Sequence, residues 1–295
     1  MIDFDALAST HIHDAPYEWG LTKRALDPAR AAALIDTFPA EDFWRIAGHD
    51  GEKSYTYSAR PLVILGADRP ANLAPLSDLW RELADDLLSP RYRESLGKAI
   101  GQPLDDALME AAIWRWGHDA HLGPHLDMRE KLVTQVFYLN AGWNPWWGGC
   151  LRILNSQDES DLASEIEPIL GNASILVRSD CSWHAVSSVA GAPVPRRSLI
   201  VTWLRPGNTS PTWYEDEDGI VKTFAEPPGA VREEEPEASG LAALESHAAA
   251  LDARCTELSA VRGRRSVRAA LAVANAVSRA RAAARTRHAA VADRS

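Results

Sequence analysis

Aromatic side chains stop abruptly along this chain: all 22 of them, including the 11 tryptophans, lie at or before Phe224. A packed core forms only where large apolar groups are available to bury, so the folded body is expected to end near that residue. Next comes a stretch of linker composition, Glu226-Pro227-Pro228-Gly229 through Arg232-Glu233-Glu234-Glu235-Pro236-Glu237, which offers no core-forming residues. From Leu241 onward the chain turns rich in Ala and Arg, with ten basic residues against four acidic, and reads as helix broken at Gly263. This divides the 295 residues into a supporting region of helices and strands (1–108), a β-rich core (109–224), an acidic Pro/Gly linker (225–240) and a helical tail (241–295).

Charge and composition then exclude whole classes of function. The net charge is -10, which argues against a general nucleic-acid or anionic-membrane binder. The tail is the exception: it carries +6 while the preceding residues carry -16. It is expected to dock on the acidic body or on a partner in preference to nucleic acid. Cys150, Cys181 and Cys255 are too few and too scattered for a disulfide framework or a Cys-rich zinc module, so they read as free thiols in a reducing compartment. Met1 to Asp5 shows no basic region followed by an apolar run, and no stretch approaches the roughly 20 apolar residues of a membrane span. A soluble, cytoplasmic protein is expected.

Helices come first and a sheet follows. Asp27-Pro28 opens a helix as N-cap and first helical residue, with Ala31, Leu34, Ile35 and Phe38 as its apolar stripe. Further helices are expected over Pro75–Leu88 and Pro90–Ile100, with strands at Lys53–Tyr57 and Pro61–Leu65. After Met109 the chain breaks into short β-rich runs at Glu110–Trp116, Leu132–Leu139, Cys150–Leu154, Ser174–Arg178 and Ser198–Leu204. Runs of this length between Gly, Pro and Asn turns suggest an α+β protein built on a β-sandwich or barrel. A doubly wound parallel sheet would need strands and helices in alternation.

Histidines supply the chemical clue. His118, His121 and His125 crowd together with Asp127, and His184 stands beyond three expected strands. In an extended segment His125-x-Asp127 puts both side chains on one side, where an imidazole and a carboxylate can grip one ion. His184 would complete a face of two histidines and one carboxylate, the ligand set of non-haem Fe(II) oxygenases. Against this stand two blander readings: a chance His-x-Asp with a hydrogen-bonded structural His184, and a zinc site on one helix bearing His118, His121 and His125. Gly123-Pro124 would interrupt that helix before its last ligand.

The surrounding order of motifs resembles the prolyl-4-hydroxylase-like branch of the 2-oxoglutarate/Fe(II)-dependent dioxygenases. Trp114-Arg115-Trp116-Gly117 leads into His125 and Asp127; Tyr138-Leu139-Asn140 follows, then Gly148-Gly149-Cys150-Leu151-Arg152-Ile153, Glu167-Pro168, His184-Ala185-Val186, and an Arg on a strand carrying Trp203. The match covers roughly 109–207. It implies a double-stranded β-helix (jelly roll), with Fe(II), 2-oxoglutarate and O2 as cofactor and co-substrates and His125, Asp127 and His184 as metal ligands. It also implies an Arg clamp on the far carboxylate of 2-oxoglutarate, because a guanidinium donates two parallel hydrogen bonds and keeps its charge. Arg197 is the expected clamp, sharing a face with Val201 and Trp203; Arg196 competes, because Arg196-x-Ser198 would present a guanidinium and a hydroxyl together. Tyr138 matches the family's tyrosine at the same carboxylate. Val201 stands where relatives often carry Thr.

The activity this implies is hydroxylation or another oxidation of an unactivated C–H, with succinate and CO2 as co-products. Asp127 occupies the position that iron halogenases leave to Gly or Ala, so halogenation is not expected. An amino acid or specialised metabolite is the first choice of substrate, free or attached to a carrier protein, and a prolyl or other residue of a peptide the second. Trp114, Trp116, Trp143, Trp146 and Trp147 are candidate pocket walls. The readings from other classes are a non-catalytic metal-binding sensor or scaffold and a nucleic-acid demethylase.

Overall fold

The computed structural model describes residues 1–50 and 53–223. The linker and tail expected over 225–240 and 241–295, like Cys255, lie outside the described residues. In chain order the first hundred residues form α1 (Phe4–Ala8), β1 (Ile12–His13), β2 (Trp19–Thr22), α2 (Pro28–Asp36), β3 (Trp44–Asp50), β4 (Lys53–Val63), α3 (Asp78–Leu88) and α4 (Pro90–Ala99). Strands then dominate: β5 (Leu108–Trp116), β6 (His121–His125), β7 (Lys131–Tyr138), β8 (Leu151–Leu154), β9 (Leu162–Ile166) and β10 (Ala173–Val177). The last are β11 (His184–Val186), β12 (Arg196–Leu204), β13 (Trp213–Glu215) and β14 (Val221–Thr223).

Local chemistry sets the helix ends. Asp27 caps α2, its Oδ1 accepting from the Arg30 amide at 3.0 Å. Helix α3 starts three residues later than the Pro75 boundary expected, because Ser77 takes the N-cap and accepts from the Trp80 amide. Ser89 closes α3 through its backbone N–H and opens α4 through its hydroxyl, which accepts from the Tyr92 amide at 3.2 Å. Such caps contribute about 1 kcal/mol each. Helix α3 buries Trp80, Leu83, Ala84 and Leu87, a stripe of helical period.

Strand β4 is one continuous strand where two were expected. Pro61, which has no N–H to give a ladder, sits where the pairing with β5 shifts register between Pro61 and Val63, so the chain accommodates it as an irregularity. The segment holding His121 and His125 is also a strand, β6, paired with β4 and β11. A zinc helix carrying His118, His121 and His125 is therefore ruled out.

The strands form a curled antiparallel sheet in the order β1-β2-β10-β7-β12-β5-β4-β6-β11-β8-β9, with β3 on the other side of β4 and β13–β14 as a separate hairpin. This is a jelly-roll-like half-barrel flanked by the N-terminal helices. Its two faces follow from the period of two along each strand. On the convex face Ile113, Val133, Phe137, Ile175, Leu199, Val201 and Trp203 pack with Trp80, Leu83, Tyr92 and Leu96 of the helices in one apolar core. On the concave face the register aligns Arg196 with Trp116, Ser198 with Trp114 and Tyr138, and Thr202 with Glu110 and Thr134. That face collects polar and charged groups, and the site lies there.

Candidate metal centre

His125 ends β6 and His184 begins β11, directly opposite one another in the antiparallel register. Their rings stand 4.2 Å apart between centroids. In each ring Nδ1 faces the carbonyl two residues back, Gly123 for His125 and Ser182 for His184, both at 2.9 Å. A carbonyl can only accept, so Nδ1 carries the proton and Nε2 presents its lone pair, the arrangement that suits a metal ligand.

Asp127 reaches the same point from the loop after β6. One ligand atom from each of His125, Asp127 and His184 lies within 4.8 Å of the others, and all three residues are buried. Lys131 Nζ donates to Asp127 Oδ1 at 2.6 Å and Thr134 Oγ1 donates to Oδ2 at 2.8 Å, while Arg178 Nε donates to the Asp127 backbone carbonyl at 3.3 Å. Burial alone would raise the Asp127 pKa; Lys131 and the two histidines outweigh it and hold the carboxyl well below the usual carboxylate range. The group is an anion locked in one orientation, with two imidazole lone pairs beside it.

Beyond this triad the concave face holds a second buried charge. Arg196 is 1% exposed, and its guanidinium lies over the rings of Trp116 and Tyr138, 4.9 and 5.6 Å from their centroids. Its Nη1 donates to Ser198 Oγ at 3.2 Å, but Nε has no acceptor and no carboxylate pairs with the group among the described residues. Burial pushes its pKa down to about 10. Tyr138 is likewise buried, its hydroxyl 2.8 Å from Ser174 Oγ and its pKa pushed up to about 12, chiefly by burial. A buried guanidinium without an anion is costly, and a bound carboxylate would relieve it.

The expected clamp, Arg197, takes a different place. Its guanidinium lies over the Phe38 ring, 4.6 Å from the centroid. Arg197 does share a face with Val201 and Trp203, as period two requires, but that is the helix-packed face. The cause is visible at the start of β12. Asn140 Oδ1 accepts from the Arg197 amide at 2.8 Å and its Nδ2 donates to the Pro195 carbonyl at 3.0 Å, which pins the strand's entry so that Arg196 points inward. This gives the Asn of Tyr138-Leu139-Asn140 a physical role. Gly148 and Gly149 have another: both have positive φ, +69° and +67°, and a Cβ on Gly148 would sit 1.8 Å from the Ser188 carbonyl oxygen, while one on Gly149 would sit 3.1 Å from Arg196 Cδ.

Sequence reasoning missed Tyr17. It belongs to the segment before β2 yet packs with Tyr138 in the core of the concave face. It is 3% exposed, and its hydroxyl has no hydrogen-bond partner among the described residues. Burial raises its pKa, and the nearby Asp127 charge raises it further. No local signal marks Tyr17, since its partners lie more than a hundred residues away. Of the five tryptophans proposed as walls, Trp116 lies fully buried beneath Arg196, Trp114 stacks on Tyr57 at 3.7 Å, and Trp143 donates to the Gly148 carbonyl at 2.7 Å.

Two imidazoles and one carboxylate converging on the concave face of a jelly-roll sheet define the facial ligand set of a non-haem iron oxygenase. Residues 111–205 match the family model of the 2OG-Fe(II) oxygenase superfamily, and that match together with the triad supports 2-oxoglutarate- and Fe(II)-dependent oxygenase chemistry. No curated protein matches the chain. Among solved structures it is similar to a Pseudomonas putida prolyl-4-hydroxylase, with 20% identity over 68% of this chain and 96% of that one and a TM-score of 0.45. It is similar also to a 2OG-Fe(II) oxygenase family oxidoreductase from Burkholderia pseudomallei, with 20% identity, coverage of 70% and 92%, and a TM-score of 0.46. A third is a Trichoplax adhaerens prolyl hydroxylase in complex with a hypoxia inducible factor peptide fragment, with 15% identity, coverage of 63% and 83%, and a TM-score of 0.44.

Proposed function

We propose that His125, Asp127 and His184 hold Fe(II), that Arg196, Tyr138 and Ser198 hold the far carboxylate of 2-oxoglutarate, and that the enzyme hydroxylates an unactivated C–H of a small amino acid or specialised metabolite. The observation that carries this reading is the buried, carboxylate-free guanidinium of Arg196 on the same face as the triad. A sensor or scaffold has no use for such a group. The donor set suits the metal, and the vacant Nε of Arg196 and hydroxyl of Tyr17 suit a dicarboxylate. When bound, Fe(II) and 2-oxoglutarate supply oxygen activation coupled to decarboxylation of the co-substrate to succinate.

The chain's own residues do the rest. Lys131 and Thr134 fix both oxygens of Asp127, so the carboxylate meets the metal without reorganising. Arg196 binds by charge and Tyr138 by a single hydroxyl, with Trp116 as the floor beneath the guanidinium. The unpartnered Tyr17 hydroxyl would be available to donate to the co-substrate. The apolar cluster of Ile153, Val186, Leu151 and Trp143 excludes water that would waste the oxidant. No side-chain nucleophile is needed, and Cys181, an exposed free thiol, has none of the surroundings of one.

No described helix is long and apolar enough to cross a membrane. Free Cys150 and Cys181 support a cytoplasmic location. The test of the whole reading is succinate formation from 2-oxoglutarate by the full chain with Fe(II) under air. Turnover that depends on iron and rises with a small-molecule substrate is expected. A metallated sample that forms no succinate with any of a broad substrate panel overturns it in favour of the scaffold.

A further inference from the structure

A buried carboxyl group on the concave face also lacks a cation partner. Glu110 is 9% exposed. Ser210 Oγ donates to its Oε2 at 2.6 Å, and that same Oγ accepts from the amides of Thr212 and Trp213 at 3.2 and 3.0 Å, so the hydroxyl proton is committed to the carboxylate. Oε1 has no hydrogen bond, and no cation pairs with Glu110 among the described residues. The cation that acts on it through space, Lys131, is already bound to Asp127. Burial raises the Glu110 pKa, the response of a carboxyl short of a partner.

Glu110 lines a cavity of about 30 Å³ together with Ile46, Trp114, Ile200, Thr202 and Trp213. That is room for a head group of one or two heavy atoms. The tryptophans add to the preference, because an indole face attracts a cation. The position fits a substrate as well. Thr134, Thr202 and Glu110 form one row across β7, β12 and β5, and Thr134 is the residue that bonds Asp127, so the acid stands two strands, about 10 Å, from the metal ligands' support. Arg196 and Glu110 thus stand near opposite ends of β12, six residues or about 20 Å apart along the strand. An anion is called for at one end and a cation at the other, with the triad's support beside the second.

We propose that this cavity is the substrate's recognition site and that it takes a protonated amine, whose ammonium pairs with Glu110 between Trp114 and Trp213. The substrate is then an amine or an amino compound with its target carbon lying toward the metal. The inference rests on the oxygenase reading for the fate of the amine and not for its binding.

The test is therefore made on the metal-free full chain, by titrating tryptophan fluorescence with n-butylamine and with n-butanol as its uncharged counterpart. Saturable binding of the amine and an affinity for the alcohol at least 30-fold weaker are expected, the effect of withdrawing one member of a buried charge pair. Equal binding of the two, or no binding of either, overturns the proposal. Glu110→Gln should weaken the amine by a similar factor and leave the alcohol unchanged; an unaltered amine affinity overturns the proposal equally. Should that variant fail to fold, the comparison of amine and alcohol on the wild-type protein decides alone. Failure of the oxygenase reading would show separately, as absence of succinate in the wild-type assay.

Discussion

The two faces of the central sheet, only one side chain apart in sequence, are built on opposite rules. On the convex side Leu199, Val201 and Trp203 are fully buried and pack with the helices in one largely apolar core. On the concave side Arg196 and Tyr17 are buried just as deeply, yet among the described residues Arg196 has no anion, the Tyr17 hydroxyl has no partner and Glu110 has no cation. The convex face holds the fold together, and the concave face gives up part of that stability to leave groups waiting for ligands. Strand β12 belongs to both, so its substitutions should separate sharply by parity.

The largest effect expected is on the concave side. His184→Ala or Asp127→Ala should reduce iron-dependent succinate formation to background while the thermal midpoint stays within a few degrees; a fully active variant would break the assignment of the triad. Next comes Arg196→Ala, which removes a charge partner from a buried site and should raise the 2-oxoglutarate KM by about 100-fold or more. Arg197→Ala, one residue along, should leave that KM within about twofold. If the two exchange their effects, the parity argument fails. On the convex side Leu199→Ala should lower unfolding free energy by about 2–4 kcal/mol in denaturant titrations without changing the 2-oxoglutarate KM of the folded fraction. The smallest effect is Tyr17→Phe: loss of one hydrogen bond should weaken 2-oxoglutarate about 3–10-fold, measured as equilibrium binding to the metal-loaded protein without oxygen.

Much of the site was legible because its signals are short-range. His125-x-Asp127 and His184 are spaced by strands that announce themselves, and the Gly148-Gly149 pair marks a left-handed turn under a close backbone approach. Which arginine faces the concave side was legible only to within one residue. Whether Arg196 or Arg197 faces inward depends on where β12 begins, and that is decided by Asn140, 57 residues away in sequence, holding the Arg197 amide. Tyr17 and Glu110 were illegible as candidate site residues for a related reason. Each looks ordinary in its own segment, and only the missing partner, seen in three dimensions, sets it apart. The hairpin β3–β4 was half read, because Pro61 is a strand breaker by rule and a tolerated irregularity here.

Strand β4 has one more consequence. Its first part pairs with β6, at Tyr55 and Thr56, and its second with β5, from Ser58 to Val63, so a single strand links β6 to β5. Anyone reshaping the 44–63 hairpin to admit a bulkier guest would, by the same cut, reset the aim of the strand bearing His125, and should plan compensating changes on β6 from the outset.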